Sequence, residues 1–475
     1  MTRICRLSQE RGIYFILLFF IGFEVWCFAN SNIKYVVFLL CGMSGILCWI
    51  LFQQKKIISG FGFPVLVMLS FGPILSFGPK SFYILGQPLV YCFFSILFLF
   101  FPMIIAHYVQ KARPKYIPGT GSIVIMVSSF IISLIYQTIA HRGNYEYSLE
   151  EDIILLLGLA VFFITYALLV LEIISIRQII MALTISILPF LVYSLYSYYL
   201  HGELSKFFIL RFGGTSPDTN PNYVATVLDF CFPFALFLAL GEKKAHIKIF
   251  FSLLSMIYCI CLLLTAARGS IPGLLAILLF FIFKSRSIAI WILIGALTIG
   301  IFGTVGSRVA NRILKPTTMD NLSNIGRVEL ATTANSILKN NYYMFGIGFT
   351  NFKSEKFRYG FSHSFDNNKG LSTHNSFLEL WVGWGLLGLI GWLSLLIGSL
   401  IRVARTKLSV EMHHLRYALM FALLGFMAHG IVDVNIAHFN CIMLIISTLS
   451  CISFLSRLDV RNSVGVGTLP TKPDF

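Results

Sequence analysis

Asn367-Asn368-Lys369-Gly370-Leu371-Ser372-Thr373-His374-Asn375 runs straight into Ser376-Phe377-Leu378-Glu379-Leu380-Trp381-Val382-Gly383. The first part is polar and the second opens a long apolar run, so the chain enters a membrane here. Upstream, the polar, mixed character extends back to Arg308; beyond it, almost everything reads as apolar spans joined by short loops. A multi-spanning protein concentrates chemistry where polar side chains are solvated. The 308–375 loop is therefore where an enzyme on a membrane-borne substrate would act, whereas a transporter needs no such insertion.

Composition agrees. The chain is 57% hydrophobic, 12% charged and has a mean hydropathy of +0.83, outside the range of soluble domains. A span needs about 20 apolar residues. Such segments occur near 12–28, 35–52, 57–77, 83–107, 119–140, 153–174, 179–200, 223–240, 249–267, 269–283, 288–307, 376–401, 417–433 and 438–455. Several are short or hold Gly and Pro, so the expected fold is an all-α integral membrane protein of about 12–14 transmembrane helices, with one long periplasmic loop containing short amphipathic helices. The basic start at Arg3, Arg6 and Arg11 resembles a signal peptide, but Glu24 interrupts the apolar run, which favours an uncleaved first helix.

Basic residues set the orientation. With the N-terminus inside, 21 Lys and Arg fall on inner segments and six on the opposite short ones, and nine lie in the long loop, which the positive-inside rule does not weigh. Both termini are then cytoplasmic and residues 308–375 face outward. The net charge of +16 reports this topology and contact with anionic headgroups, and its scatter over many loops argues against nucleic acid. The ten cysteines lie in spans or, for Cys5, on the inner side, so no disulfide is expected. No HExxH, P-loop or GxGxxG occurs, so no metal, nucleotide or other cofactor is expected.

Three outward basic residues stand out. Arg268 sits at the tight junction of two spans, against the positive-inside trend; its plainer reading is a topological charge at a helix end. Arg327 belongs to Asn324–Leu338, where Ile325, Val328, Ala331, Ala334 and Ile337 or Leu338 recur at helical spacing. Asn324 is the expected N-cap, placing Arg327 in a first turn whose amides favour anions; a solvated surface arginine is the alternative. His374 lands at the membrane interface, where an imidazole can take a proton from a hydroxyl near neutral pH, or simply hydrogen-bond a neighbour. Glu379 follows it by five residues and could orient it. His429 and Asp433 stand four apart and could pair with each other. Asp229, Glu172 and Glu24 are costly in lipid, so they are expected to face the bundle interior.

Several ordered motifs resemble the O-antigen ligase and polymerase superfamily. Thr265-Ala-Ala-Arg-Gly-Ser270 resembles its Ser-Arg-Gly-Ala turn, with Ala267 in place of the usual Ser. Gly326-Arg327 with the following amphipathic helix, then Phe345-Gly-Ile-Gly-Phe349, resembles its outer-loop core. Thr373-His-Asn-Ser-Phe-Leu-Glu-Leu380 with Gly383, Gly385 and Gly388 resembles its His-Asn entry into a span. Asn220-Pro-Asn222 and His429-Gly-Ile-Val-Asp433 resemble further features. The likeness divides the chain into 1–217, matching in hydropathy alone, a core at 218–455 and a cytoplasmic tail at 456–475.

The resemblance implies a bacterial inner-membrane glycosyltransferase. It would move a glycan from undecaprenyl pyrophosphate to an acceptor hydroxyl on the periplasmic face. The acceptor would be lipid A core for a ligase, a second lipid-linked glycan for a polymerase, or a protein Ser or Thr for an O-oligosaccharyltransferase. Arg268 and Arg327 would bind the pyrophosphate and His374 would activate the acceptor, with Asn375, Glu379, Asn222, His429 and Asp433 in possible support. The non-enzyme alternative is a polysaccharide flippase, which the outward clustering of Arg268, Arg327 and His374 disfavours.

Overall fold

The computed structural model describes residues 83–84, 87–88, 117–140, 148–188, 191–192, 221–265, 267–284, 318–348, 351–361, 372–409, 412–436 and 439–463. Among these the chain is an all-α integral membrane protein, with one antiparallel ladder of two residues a side, β1 (Tyr83–Ile84) against β2 (Gln87–Pro88). The span expected from residue 83 therefore does not begin as helix. The segments expected at 12–28, 35–52, 57–77 and 288–307, and Glu24, lie outside the described residues.

The remaining expected spans fall on helices over the residues that are described, the one at 179–200 being described only at 179–188 and 191–192. The helices are α1 (Thr120–Ala140), α2 (Ser148–Val170), α3 (Ile176–Ile185), α4 (Pro221–Gly241), α5 (Ala245–Leu264), α6 (Ile271–Lys284), α8 (Ser376–Arg405), α9 (His413–Val432) and α10 (Phe439–Ser463), with α7 (Thr318–Ile337) from the long polar loop. Among the described residues five stretches are long and apolar enough to cross a membrane, namely α4, α5, α8, α9 and Cys441–Leu458 of α10. The apolar parts of α1, α2 and α3, and the stretch Arg268–Phe281, are shorter. Glu172 departs from expectation: it is exposed in the turn after α2, which ends at Val170, so it carries no burial cost.

Burial sorts the helices into inner and lipid-facing ones. Pro221 starts α4, where its missing N–H and fixed φ suit a first helical position. That helix is buried on nearly every face, from Val224 to Ala239, and packs against α3, α5 and α9. In contrast, α5 buries Phe251, Leu254, Tyr258 and Cys261 and exposes Ile249, Phe250, Leu253, Met256, Ile257 and Ile260. The exposed set repeats at helical spacing and is as apolar as the buried one. A helix apolar all round fits lipid on its outer face. The described cysteines, including buried Cys231, Cys261, Cys441 and Cys451, are free thiols.

The break in α8 shapes the end of the bundle at which that helix starts. Gly385 has φ +74° and ψ −174°, so the helix stops and restarts there. Residues Tyr343–Gly348 lie in the gap and replace the lost helical bonds. Ile347 N–H donates to Val382 O (2.7 Å), Gly348 N–H to Gly383 O (2.8 Å) and Leu386 N–H to Tyr343 O (3.0 Å). From α1, Ser133 Oγ donates to Gly383 O (3.2 Å) and Ser129 Oγ to Trp384 O (2.6 Å). The break thus gives Val382, Gly383 and Trp384 new partners, the condition for non-helical backbone at membrane depth. Two glycines permit the approach. A Cβ at Gly385 would lie 2.0 Å from Met344 O, and one at Gly346 would lie 2.2 Å from Gly383 O.

Helix α7 corrects the expected start of its segment. It begins at Thr318, six residues before Asn324, so Asn324 is no N-cap and Arg327 stands in mid-helix. Asp320 in the first turn suits that earlier start. The buried stripe is also rotated: Leu330, Ala334, Ile337 and Leu338 pack with Tyr342, Phe352 and Val382, whereas Ile325, Val328 and Ala331 are exposed. The turn that actually packs on the protein, together with the start of α8, is the C-terminal half of α7.

Candidate active site

His374 occupies the loop just before α8, with the left-handed backbone φ of +53°. That region is unusual for a residue with a side chain, though histidine enters it more readily than most. The residues around it are tied down. Asn375 caps α8 through Oδ1, which accepts the Phe377 and Leu378 N–H groups at 2.9 Å each. Asn375 Nδ2 donates to Ile431 O at the end of α9 (2.9 Å). Glu379, buried in the first turn, accepts the Thr373 N–H (2.8 Å). It therefore braces the residue before His374.

The turned backbone brings the imidazole to α9's end. His374 Nδ1 lies 3.1 Å from Asp433 Oδ1, 59 residues away in sequence. Asp433 is buried, and it also accepts the Val434 N–H (2.8 Å) and a bond from Asn222 Nδ2 of α4. Burial pushes its carboxyl up, but the bond to and charge of His374, the charge of His429 and the Val434 N–H outweigh that and hold it at about 2. An ionised carboxylate only accepts, so the proton between the two groups belongs to His374 Nδ1. When the ring is neutral, that arrangement presents Nε2 as a base, the tautomer logic of a histidine backed by an aspartate. The His374 side chain keeps 21% of its surface, against 5% for Asp433, so the ring is the accessible member.

His429 does not pair with Asp433, contrary to the four-residue spacing. Asp433 ends α9 in an extended conformation, φ −152°, and its carboxylate swings toward His374 and Asn222. His429 instead meets Asp229 of α4, with Nδ1 2.8 Å from Oδ2. Ser270 Oγ donates to the same Oδ2 (2.9 Å) and stands 3.2 Å from His429 Nδ1. Ser270 closes the short 3-10 turn Arg268–Ser270 between α5 and α6, so this cluster lies beside Arg268. Asp229 thus faces the bundle interior as its cost in lipid requires.

Two polar pairs therefore sit where the starts of α4 and α8 meet the end of α9: His374–Asp433, tied to Asn222, and His429–Asp229, tied to Ser270. Arg268 is in the turn touching the second. Arg327 is on α7, whose later turns pack with Leu378, Trp381 and Val382 on the first turns of α8. Sequence reasoning passed over Asn435, which locks the α8 start: Ser376 Oγ donates to its Oδ1 (2.6 Å) and accepts its N–H (2.8 Å), while Nδ2 donates to Phe426 O (3.1 Å). An Asn just after a helix end carries no spacing signal. Ser270 was visible only as part of its motif. Among the described residues no group of three or more His, Cys, Asp or Glu could hold a metal ion.

Residues 251–393 match the family model described as O-antigen ligase. That stretch contains Arg268, Ser270, Arg327, the Tyr343–Gly348 insertion, His374 and the break at Gly385. No curated protein matches the chain. By this match residues 251–393 are similar to the O-antigen ligase family, and they lie within an all-helical, multi-pass chain.

Proposed function

We propose that the protein transfers a glycan from undecaprenyl pyrophosphate to an acceptor hydroxyl of lipid A core, at the periplasmic face of the inner membrane. The acceptor oxygen forms a bond to the anomeric carbon of the donor. As the bond from that carbon to the diphosphate breaks, the leaving diphosphate takes the electron pair. His374 Nε2 takes the hydroxyl proton. Asp433 holds the ring in the required tautomer and offsets the imidazolium charge that forms. Arg268 and Arg327 bind the diphosphate, whose negative charge suits the planar guanidinium fork. The leaving group is activated in advance, so the chain's own residues need only position, bind and move one proton.

The observation that carries this reading is the His374–Asp433 pair, 3.1 Å apart, with the ring partly exposed and the carboxylate buried. The arrangement is that of a positioned general base at the entry of a membrane helix. The outward orientation rests on the distribution of Lys and Arg, 21 against six.

Deleting the gene and separating the surface polysaccharide by gel tests the assignment. Loss of all polymer from the lipid anchor, with lipid-linked polymer accumulating, supports ligation. A single-repeat band on the anchor would instead make the enzyme a polymerase.

A further inference from the structure

We infer that Asp229 is a positioning residue that clamps the turn carrying Arg268, and thereby governs binding of the donor's diphosphate. The inference rests on the reading of Arg268 as a diphosphate ligand. Asp229 reaches from α4 to two other elements through one carboxylate oxygen, at 2.9 Å from Ser270 Oγ and 2.8 Å from His429 Nδ1. All three residues are essentially closed to solvent, at 4%, 2% and 1% exposure. Three separate segments therefore meet at one atom, and the turn cannot shift without breaking a buried hydrogen bond and leaving its partners unsatisfied.

Packing and a second anchor fix the turn from its other sides. A Cβ at Gly269 would lie 2.7 Å from both His429 Cδ2 and Val432 Cγ2, so the turn is pressed onto α9 as closely as glycine permits. On the other side of Arg268, Thr265 Oγ1 donates to Leu262 O (2.6 Å) and accepts the Ala267 N–H (3.2 Å). Arg268 is the residue between these two anchors. A cation presented on a fixed turn loses less freedom on binding than one on a loose loop, so the clamp acts on donor affinity.

The competing role for Asp229 and His429 is a second proton-transfer pair. Their burial argues against it, since His374 is the open histidine and the acceptor hydroxyl would meet it first.

The test uses the full-length protein in nanodiscs, a synthetic undecaprenyl-pyrophosphate glycan as donor and saturating acceptor. Asp229→Ala and Ser270→Ala are expected to raise the donor KM about tenfold and to lower kcat less than threefold. Asp229→Asn keeps one carbonyl oxygen for both partners and should restore the donor KM to within about threefold of wild type. Hydrogen–deuterium exchange of the 262–272 backbone without substrate should rise in Asp229→Ala and Ser270→Ala and return toward normal in Asp229→Asn. If Asp229→Ala does not fold, Ser270→Ala, which removes a single hydroxyl, gives the same readings. A fall in kcat with unchanged donor KM, or unchanged exchange across the turn, overturns the clamp. If exchange rises but Arg268→Ala itself leaves the donor KM unchanged, the turn is clamped as described, but the diphosphate role of Arg268 is wrong and its consequence for donor binding falls with it.

Discussion

His374 and Asp433 form a hydrogen-bonded pair at 3.1 Å in which the buried carboxylate fixes the proton on Nδ1 of the more open ring. Neither residue holds its place alone. His374 depends on a left-handed backbone between Thr373 and the Asn375 cap, and Asp433 on Asn222 and the Val434 amide. Asp433→Asn should keep the fold but favour the wrong tautomer, since an amide can donate to Nδ1. Transfer should fall about 10²–10⁴-fold, with donor binding retained. Steady-state kinetics on purified enzyme check this; a loss under tenfold would remove Asp433 from the mechanism.

Acid should weaken the same pair. The Asp433 carboxyl is held at about 2, below its ordinary 3.8. A group whose pKa is lower folded than unfolded contributes stability above the unfolded value, and loses it as pH falls toward the folded one. The contribution is on the order of 2 kcal/mol, present above pH about 4 and lost between about 4 and 2. Thermal unfolding in detergent across that range should fall more steeply for wild type than for Asp433→Asn.

The arginine positions should not accept lysine. A point charge on a flexible stem cannot reproduce a bidentate guanidinium. Arg268→Lys and Arg327→Lys should each cut transfer at least tenfold while the protein remains in the membrane at normal levels. Immunoblotting of membranes and glycan gels read both; near-normal transfer in the two lysine variants would replace the fork with a looser electrostatic role.

The break in α8 makes a sharp stability contrast. Gly385→Ala would put a side chain 2.0 Å from Met344 O at φ +74°, so the insertion must leave the gap and free backbone groups must find new partners. A loss of roughly 3 kcal/mol or more is expected, with a lower melting temperature. Gly121→Ala in α1 meets nothing within 4 Å and should be neutral or slightly stabilising. Thermal melts of the two variants side by side give the result.

Hydropathy and charge made the helices legible, because a span must be apolar whatever it packs against. The expected segments at 119–140, 223–240, 249–267, 376–401, 417–433 and 438–455 all overlie observed helices. The motif residues Arg268 and His374 were visible for a related reason: polar groups at span boundaries stand out against an apolar background, whereas Arg327 stood out only by its place in a motif. What the sequence hid was pairing. Spacing suggested His429 with Asp433, but the end of α9 rotates Asp433 away, and the true partners lie 59 and 200 residues distant. The cap signal at Asn324 placed the start of α7 six residues too late, because a side chain able to cap a helix can also sit inside one. Of its expected apolar stripe, Ala334, Ile337 and Leu338 are buried, whereas Ile325, Val328 and Ala331 are exposed, since which stripe is buried depends on the first turns of α8 beneath it.

The most direct measurement is turnover by purified His374→Ala enzyme. It uses a synthetic undecaprenyl-pyrophosphate glycan and an acceptor hydroxyl, with neither metal nor nucleotide added, and donor binding is measured in parallel. If His374 is the general base, turnover falls about 10²–10⁴-fold while donor affinity stays within about threefold of wild type. Turnover within a few-fold of wild type would contradict the account and leave His374 as a residue that only helps shape the entry to α8.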